Sequence, residues 1–136
     1  MKILVVHRQK ETVGVIKSVL SKKNPVVLQT ESGLDGLLTS RIEHFDLIIC
    51  GTDLPVVTGF ELTRSIRTNS VNRNTPIFLI ASTVDDQMER LAKQLGVESI
   101  LAEDEIGAQL EDLVHECMKL IPQQEWTDMF TRSRIN

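Results

Sequence analysis

Five short aliphatic runs punctuate the chain: KILVV at residues 2 to 6, PVVLQT at 25 to 30, DLIIC at 46 to 50, PIFLIA at 76 to 81 and ESILA at 98 to 102. None alternates strictly between apolar and polar, so each reads as a strand buried on both faces. The stretches between them repeat apolar residues at helical spacing: Val13, Ile16, Leu20; Leu34, Leu37, Leu38, Ile42; Leu62, Ile66; Met88, Leu91, Ala92, Leu95; and Ile106, Leu110, Leu113, Val114, Cys117. Each set predicts a helix that lays one apolar stripe on a sheet. The helix ends carry their own signals. Thr83 with Asp86 three residues on resembles a capping box, Gly96 follows the fourth helix as its C′ residue, and Asp104 stands where it can cap the last helix. Five repeats of strand then helix predict an α/β fold, a doubly wound five-stranded parallel sheet with five helices on its two faces. The periodicity stops after Ile121, at Pro122. One domain over residues 1 to 121 is expected, with a tail or the start of a linker over 122 to 136, where Trp126, Met129 and Phe130 can form an amphipathic turn.

Size and composition fit that picture. A chain of 136 residues that is 41% apolar and 25% charged has material for one core and is short for two. With four Phe, one Trp and no Tyr, the packing must be mostly aliphatic. No apolar run approaches the length of a membrane span, and MKILVV is too short for a signal peptide and lacks a cleavage site. A cytoplasmic protein without membrane contact is therefore expected. Cys50 and Cys117 both sit in apolar patterns, so two buried free thiols are expected rather than a disulfide or a metal pair. The net charge of −4 is unevenly spread, with ten Asp/Glu against two Lys/Arg between residues 85 and 116. Such a field repels nucleic acid and favours a partner with a basic surface.

In an open α/β sheet, ligands gather beyond the carboxyl ends of the strands. The residues leaving the strands here are His7 and Arg8, Gly51 to Asp53, Ala81 and Ser82, and Glu103 and Asp104. The element order, the strand that runs into GTDLP with Gly59 beyond it, PIFLIAS, and LGVESILAED together resemble the receiver domain of bacterial two-component response regulators, over about residues 2 to 121. The resemblance implies the flavodoxin-like form of the doubly wound sheet. It also implies an acidic pair after the first strand that holds Mg²⁺, an Asp ending the third strand that accepts a phosphoryl group from a histidine kinase, a Thr or Ser ending the fourth, an aromatic in the fifth, and a Lys before a Pro. Matched position by position, His7 and Arg8 replace the acidic pair, Gly51 the acceptor, Ala81 the hydroxyl, Ile100 the aromatic, and Glu103-Asp104 the Lys-Pro pair.

Every departure removes a piece of chemistry. Glycine offers no nucleophile for an acyl phosphate. His and Arg repel the hard cation that two carboxylates would hold, and Glu103 repels a phosphoryl group that lysine would clamp. Asp53, two residues past the lost acceptor, is expected to cap its loop. His44 and His115 lack partners at metal spacing and are expected on the surface. The expected function is that of a degenerate receiver, a non-phosphorylatable interaction module in signalling, with no cofactor and no catalysis. Its partner would be a signalling protein or output domain, or a second copy. By analogy with the family, the contact face lies on the fourth helix, fifth strand and fifth helix and includes Arg90, Gln94, Glu98, Ile100, Asp112 and His115. The alternative is a sensor in which Arg8, His7 and loop amides bind an anion or small acid. Because charge signs at the pocket are exchanged, Glu103 is expected to pair with Arg8 or His7; if with His7, a raised imidazole pKa follows.

Overall fold

The five aliphatic runs form β1 (Lys2–Val6), β2 (Val26–Thr30), β3 (Leu47–Gly51), β4 (Ile77–Ala81) and β5 (Ser99–Ala102) in a computed structural model that describes residues 1–68 and 70–119. The boundary expected at 121 and the tail at 122 to 136, with its Trp126–Phe130 turn, lie outside the described residues. All strand pairs are parallel, in the order β2-β1-β3-β4-β5. Every residue of β3 and β4 is buried, as continuous aliphatic runs require when both sheet faces are covered.

Helices α1 (Lys10–Val19), α2 (Gly33–Ile42), α3 (Gly59–Thr68), α4 (Asp86–Gln94) and α5 (Glu111–Lys119) cover the sheet. One core joins Ile3, Val5, Ile49 and Ile80 to Val13 and Ile16 of α1 and Val114 of α5. The other joins Leu4, Val6, Ile48 and Leu79 to Leu62 and Ile66 of α3 and Ala92 of α4. Each such side chain, fully buried, contributes on the order of 2 kcal/mol. Cys50 and Cys117 are free thiols inside these cores, pushed up by burial to about 12 and about 11. No described helix is long and apolar enough to cross a membrane.

Four expectations need correction. β2, expected to be buried on both faces, is an edge strand with three of its five residues exposed and none buried. Of the apolar stripe assigned to α2 only Leu37 packs against the core: Leu34, Leu38 and Ile42 are exposed, and the helix buries Gly33, Gly36 and Ser40 instead. A Cβ on Gly36 would stand 2.8 Å from Val6 Cγ2 and 3.3 Å from Leu62 Cδ2, so small residues let the α2 backbone approach β1 and α3 closely. The cap of α4 is Asp85, whose carboxylate accepts from Met88 N–H at 2.8 Å, and not Thr83. Asp104 caps nothing. The chain leaves β5 through a 3₁₀ turn (Glu103–Glu105) and a π turn (Ile106–Leu110), and Glu105 Oε1 accepts from Ala102 N–H at 2.9 Å. Gly96, at φ +69°, is the expected C′ residue of α4.

The ends opposite the site are tied by polar side chains, buried Asn72 and half-buried Arg67, that the periodicity did not reveal. Asn72 accepts from Phe45 N–H and donates to the Ser40 and Glu43 carbonyls, joining the loops after α2 and α3. The Arg67 guanidinium donates to the carbonyls of Arg73, Thr75, Leu95 and Gly96. Asn72 thereby satisfies carbonyls that burial would otherwise leave without a partner, and Arg67 gathers four loop carbonyls at the rim.

Candidate functional site

Strand order reverses between β1 and β3, and there the crevice of a doubly wound sheet opens. Val6 pairs with Cys50, so the next residues, His7 and Gly51, meet at the mouth of that crevice. The His7 N–H donates to the Thr30 carbonyl at 3.0 Å, which carries the β1–β2 pairing one residue further. Its side chain folds back over β3. A Cβ built on Gly51 would lie 2.8 Å from His7 Cδ2, 3.3 Å from Nε2 and 3.5 Å from Cγ. The imidazole thus occupies the space into which any side chain at position 51 would project.

His7 is buried and its ring is oriented from both sides. Gln9 N–H donates to Nδ1 at 3.0 Å, which keeps a lone pair there and places the proton of the neutral ring on Nε2. That nitrogen faces Glu103 Oε1 at 3.5 Å. The expected Glu103 contact therefore forms with His7, but the expected rise in pKa does not follow. Burial lowers the imidazole pKa and outweighs the half-exposed Glu103 carboxylate, which raises it; Arg8 lowers it further. A neutral imidazole, not an imidazolium, sits against the carboxylate at neutral pH.

Arg8 turns away from Glu103. Its guanidinium meets Asp53 Oδ2 at 2.8 Å across an exposed rim, a pair worth at most about 1 kcal/mol. Asp53 is thus a partner of Arg8 and not the loop cap expected of it. Beyond it the loop is tightly drawn. Gly59 N–H donates to the Thr52 carbonyl at 3.0 Å, and a Cβ on Gly59 would press into the Gly51 carbonyl and stand 2.8 Å from Thr52 Cα, so only glycine fits. Between them Val56 sits at φ 67° within a turn in which Val57 N–H donates to the Pro55 carbonyl at 2.8 Å. A β-branched residue in that region is strained.

Ala81 closes β4, buried and beside Ala102 of β5, with no hydroxyl to offer. Asp104 is exposed on the 3₁₀ turn. Among the described residues no three His, Cys, Asp or Glu side chains converge as a metal cluster. The carboxylates near the crevice are Asp53, engaged by Arg8, and Glu103, facing His7. This donor set does not fit a hard divalent cation, which wants several carboxylate oxygens in octahedral array.

The second candidate region lies along α4, β5 and α5. Arg90 and Gln94 stand one turn apart on α4, and with Glu98, Asp112 and His115 they are exposed; Ile100 is half-buried against the core. His44 is exposed as expected.

Comparison with known proteins agrees with this geometry. The family model described as response regulator receiver domain matches residues 3–115. The transcriptional regulatory protein CusR of Escherichia coli (strain K12) is 30% identical over 112 residues, covering 81% of this chain and 48% of CusR. The chain therefore spans about half the length of that relative. Chemotaxis response regulator CheY4 of Vibrio cholerae superposes with a TM-score of 0.71 at 22% identity, covering 82% of this chain and 97% of CheY4. The receiver domain of sensor histidine kinase PA1611 from Pseudomonas aeruginosa PAO1, a structure with a magnesium ion in its active site cleft, superposes at 0.74 with 23% identity over 85% of this chain and 94% of that one.

Proposed function

The chain belongs to the response regulator receiver domain family, and on that premise we propose that it is a receiver without phosphoryl chemistry, an interaction module in two-component-type signalling. The observation that carries this reading is the His7 imidazole packed on Gly51, in the space an acceptor carboxylate would need. Gly51 supplies no nucleophile, the His7-Arg8 pair supplies no cation site, and Ala81 supplies no hydroxyl to follow a phosphoryl group. The module needs no cofactor and turns over no substrate. It extends over residues 1 to 121, with 122 to 136 as a tail or linker.

Without a phosphate-driven two-state element, the output face is set by the fold and biased only by what binds it. That face is the acidic surface of α4, β5 and α5, and Arg90, Gln94, Glu98, Ile100, Asp112 and His115 contact a signalling protein or output domain with a basic surface. The anion-sensor alternative has less support, because Arg8, the cation it relies on, is paired with Asp53 and the Glu103 carboxylate stands in the same crevice.

The test is a thermal melt of the chain with Mg²⁺ and beryllofluoride, which mimics an acyl phosphate. The midpoint is expected to stay where it is in buffer. Because a ligand at a hundred times its Kd adds about 2.7 kcal/mol, a stabilisation that depends on both Mg²⁺ and beryllofluoride would overturn the reading.

A further inference from the structure

Residues 62 to 84 carry Arg64, Arg67 and Arg73 and no Asp or Glu, against the trend of a chain whose net charge is −4. Part of that charge lines an open hollow of about 840 Å³ at the end of the sheet opposite the crevice, where β3 and β4 begin. Its walls are Arg41, from the last turn of α2, and Ser70, Val71, Arg73 and Asn74, from the loop between α3 and β4. Among the described residues no carboxylate lines it. The acids that follow Arg41 in the chain are taken up by Lys2, whose Nζ lies 3.1 Å from Glu43 Oε2 and whose N–H donates to Asp46 Oδ2 at 2.7 Å. Arg41 and Arg73 are exposed, and neither guanidinium has an ion-pair partner among the described residues.

The frame beneath these side chains is fixed. Fully buried Asn72 donates to the carbonyls of Ser40 and Glu43 at 2.6 and 2.8 Å, which fastens the backbone on either side of Arg41 to the residue before Arg73. Ser70 Oγ accepts from Asn72 N–H at 3.0 Å and donates to the Ile66 carbonyl at 2.9 Å, and Arg67 Nη1 donates to the Arg73 carbonyl at 3.0 Å. Both arginine stems therefore start from one rigid piece of backbone. A ligand between them orders side chains only, which keeps the entropic cost of binding low.

We propose that this hollow binds a phosphate monoester, its phosphoryl group held between Arg41 and Arg73. Charge and donor count select that chemistry. A phosphate monoester carries about −1.5 to −2 at pH 7 and three terminal oxygens, so two guanidinium forks can engage it together. A lone carboxylate has two oxygens, which one bidentate fork already occupies. The Ser70 hydroxyl proton is committed to Ile66, so the Asn74 amide is the remaining side-chain donor in the wall. Val71, 57% exposed, offers an apolar surface to the rest of the ester. The volume falls in the range of small-ligand sites, roughly 300 to 1,000 Å³, and exceeds what a bare ion fills. The site is independent of the proposed function, since His7, Arg8 and Glu103 lie at the other end of the strands.

Isothermal titration calorimetry of the full chain with adenosine monophosphate at low ionic strength is expected to show one site per chain with a Kd below about 1 mM. Adenosine, without the phosphoryl group, gives no binding at the same concentrations. Inorganic phosphate binds more weakly because it leaves most of the hollow empty; an affinity equal to the nucleotide's overturns the assignment to an ester. Arg41→Ala and Arg73→Ala each weaken nucleotide binding at least about tenfold, the usual loss for a hydrogen bond between charged groups, with unchanged far-ultraviolet circular dichroism spectra. Arg41→Lys keeps the charge without the fork and recovers only part of that loss. Arg64→Ala, exposed on α3 outside the hollow, leaves the affinity unchanged. Three results overturn the inference: no heat of binding up to about 10 mM nucleotide, binding lost equally in Arg64→Ala, or binding lost in Arg8→Ala and kept in Arg41→Ala, which puts the ligand in the crevice.

Discussion

Replacing Gly51 with alanine tests whether the His7 ring holds the acceptor space. The new Cβ would stand 2.8 Å from His7 Cδ2, where carbon atoms prefer about 3.5 to 4.0 Å, so the ring must retreat by roughly 0.7 to 1.2 Å. It cannot do so freely, because Nδ1 is held by Gln9 N–H and the ring is buried. Overpacking of this kind costs about 1 to 3 kcal/mol. Against it stands the gain of alanine over glycine in a strand, about 0.5 to 1 kcal/mol. Gly51→Ala should therefore destabilise the wild-type chain by about 1 kcal/mol. In a His7→Ala background the methyl enters the space that the imidazole vacated, and the same change should stabilise by about 0.5 kcal/mol. The sign reverses. Urea unfolding followed by circular dichroism gives all four corners of the cycle, provided the m-values agree. Effects of Gly51→Ala equal within about 0.5 kcal/mol in the two backgrounds would refute the reasoning.

The pH dependence of stability follows from the lowered pKa of buried His7. The unfolded chain binds this proton first, so the stability that neutral His7 allows is fully present above the unfolded value of about 6.5 and is lost as pH falls from there through the lower folded value. Urea midpoints between about pH 7.5 and 5 should show this loss shrinking in His7→Gln, and a wild-type midpoint that climbs as pH falls would contradict it. Thr30 Oγ1 is buried with no hydrogen-bond partner among the described residues, so Thr30→Val should raise stability by about 1 kcal/mol; a loss of that size would mean the hydroxyl is engaged. Val56→Gly relieves the positive φ and should stabilise by about 1 kcal/mol in the same assay, an unchanged or lower midpoint counting against strain in that turn.

Strand positions were the most legible part of the sequence, because burial on both faces leaves continuous aliphatic runs in β3 and β4; the equally aliphatic β2 is an exposed edge strand, which its composition does not reveal. Helix α2 was misread for a physical reason. Periodicity takes apolar residues to be the buried ones, yet here Gly36 lets the helix backbone approach Val6 and Leu62, Leu37 alone of the stripe packs on the core, and Leu34, Leu38 and Ile42 are left outside. The α4 cap slipped because Thr83, Asp85 and Asp86 all have capping side chains, and it is Asp85 that stands, in extended conformation, one residue before the helix. The loss of acid at position 51 was readable directly. That His7 fills the gap was not, since nothing in the spacing of residues 7 and 51 says that one ring lies over the other. The Glu103 contact was foreseen from the exchange of charges, but its protonation state was not, because desolvation depends on a burial that only the packed crevice reveals.

A receiver without phosphoryl chemistry must be inert at the end of β3. Intact-mass spectrometry of the chain after incubation with acetyl phosphate and Mg²⁺, beside a receiver that carries the acceptor acid, tests it directly. A single unshifted mass is expected for this chain under conditions in which the control gains one phosphoryl group, roughly 80 Da. A base-labile adduct of that mass, mapped to any residue between Cys50 and Gly59, would contradict it.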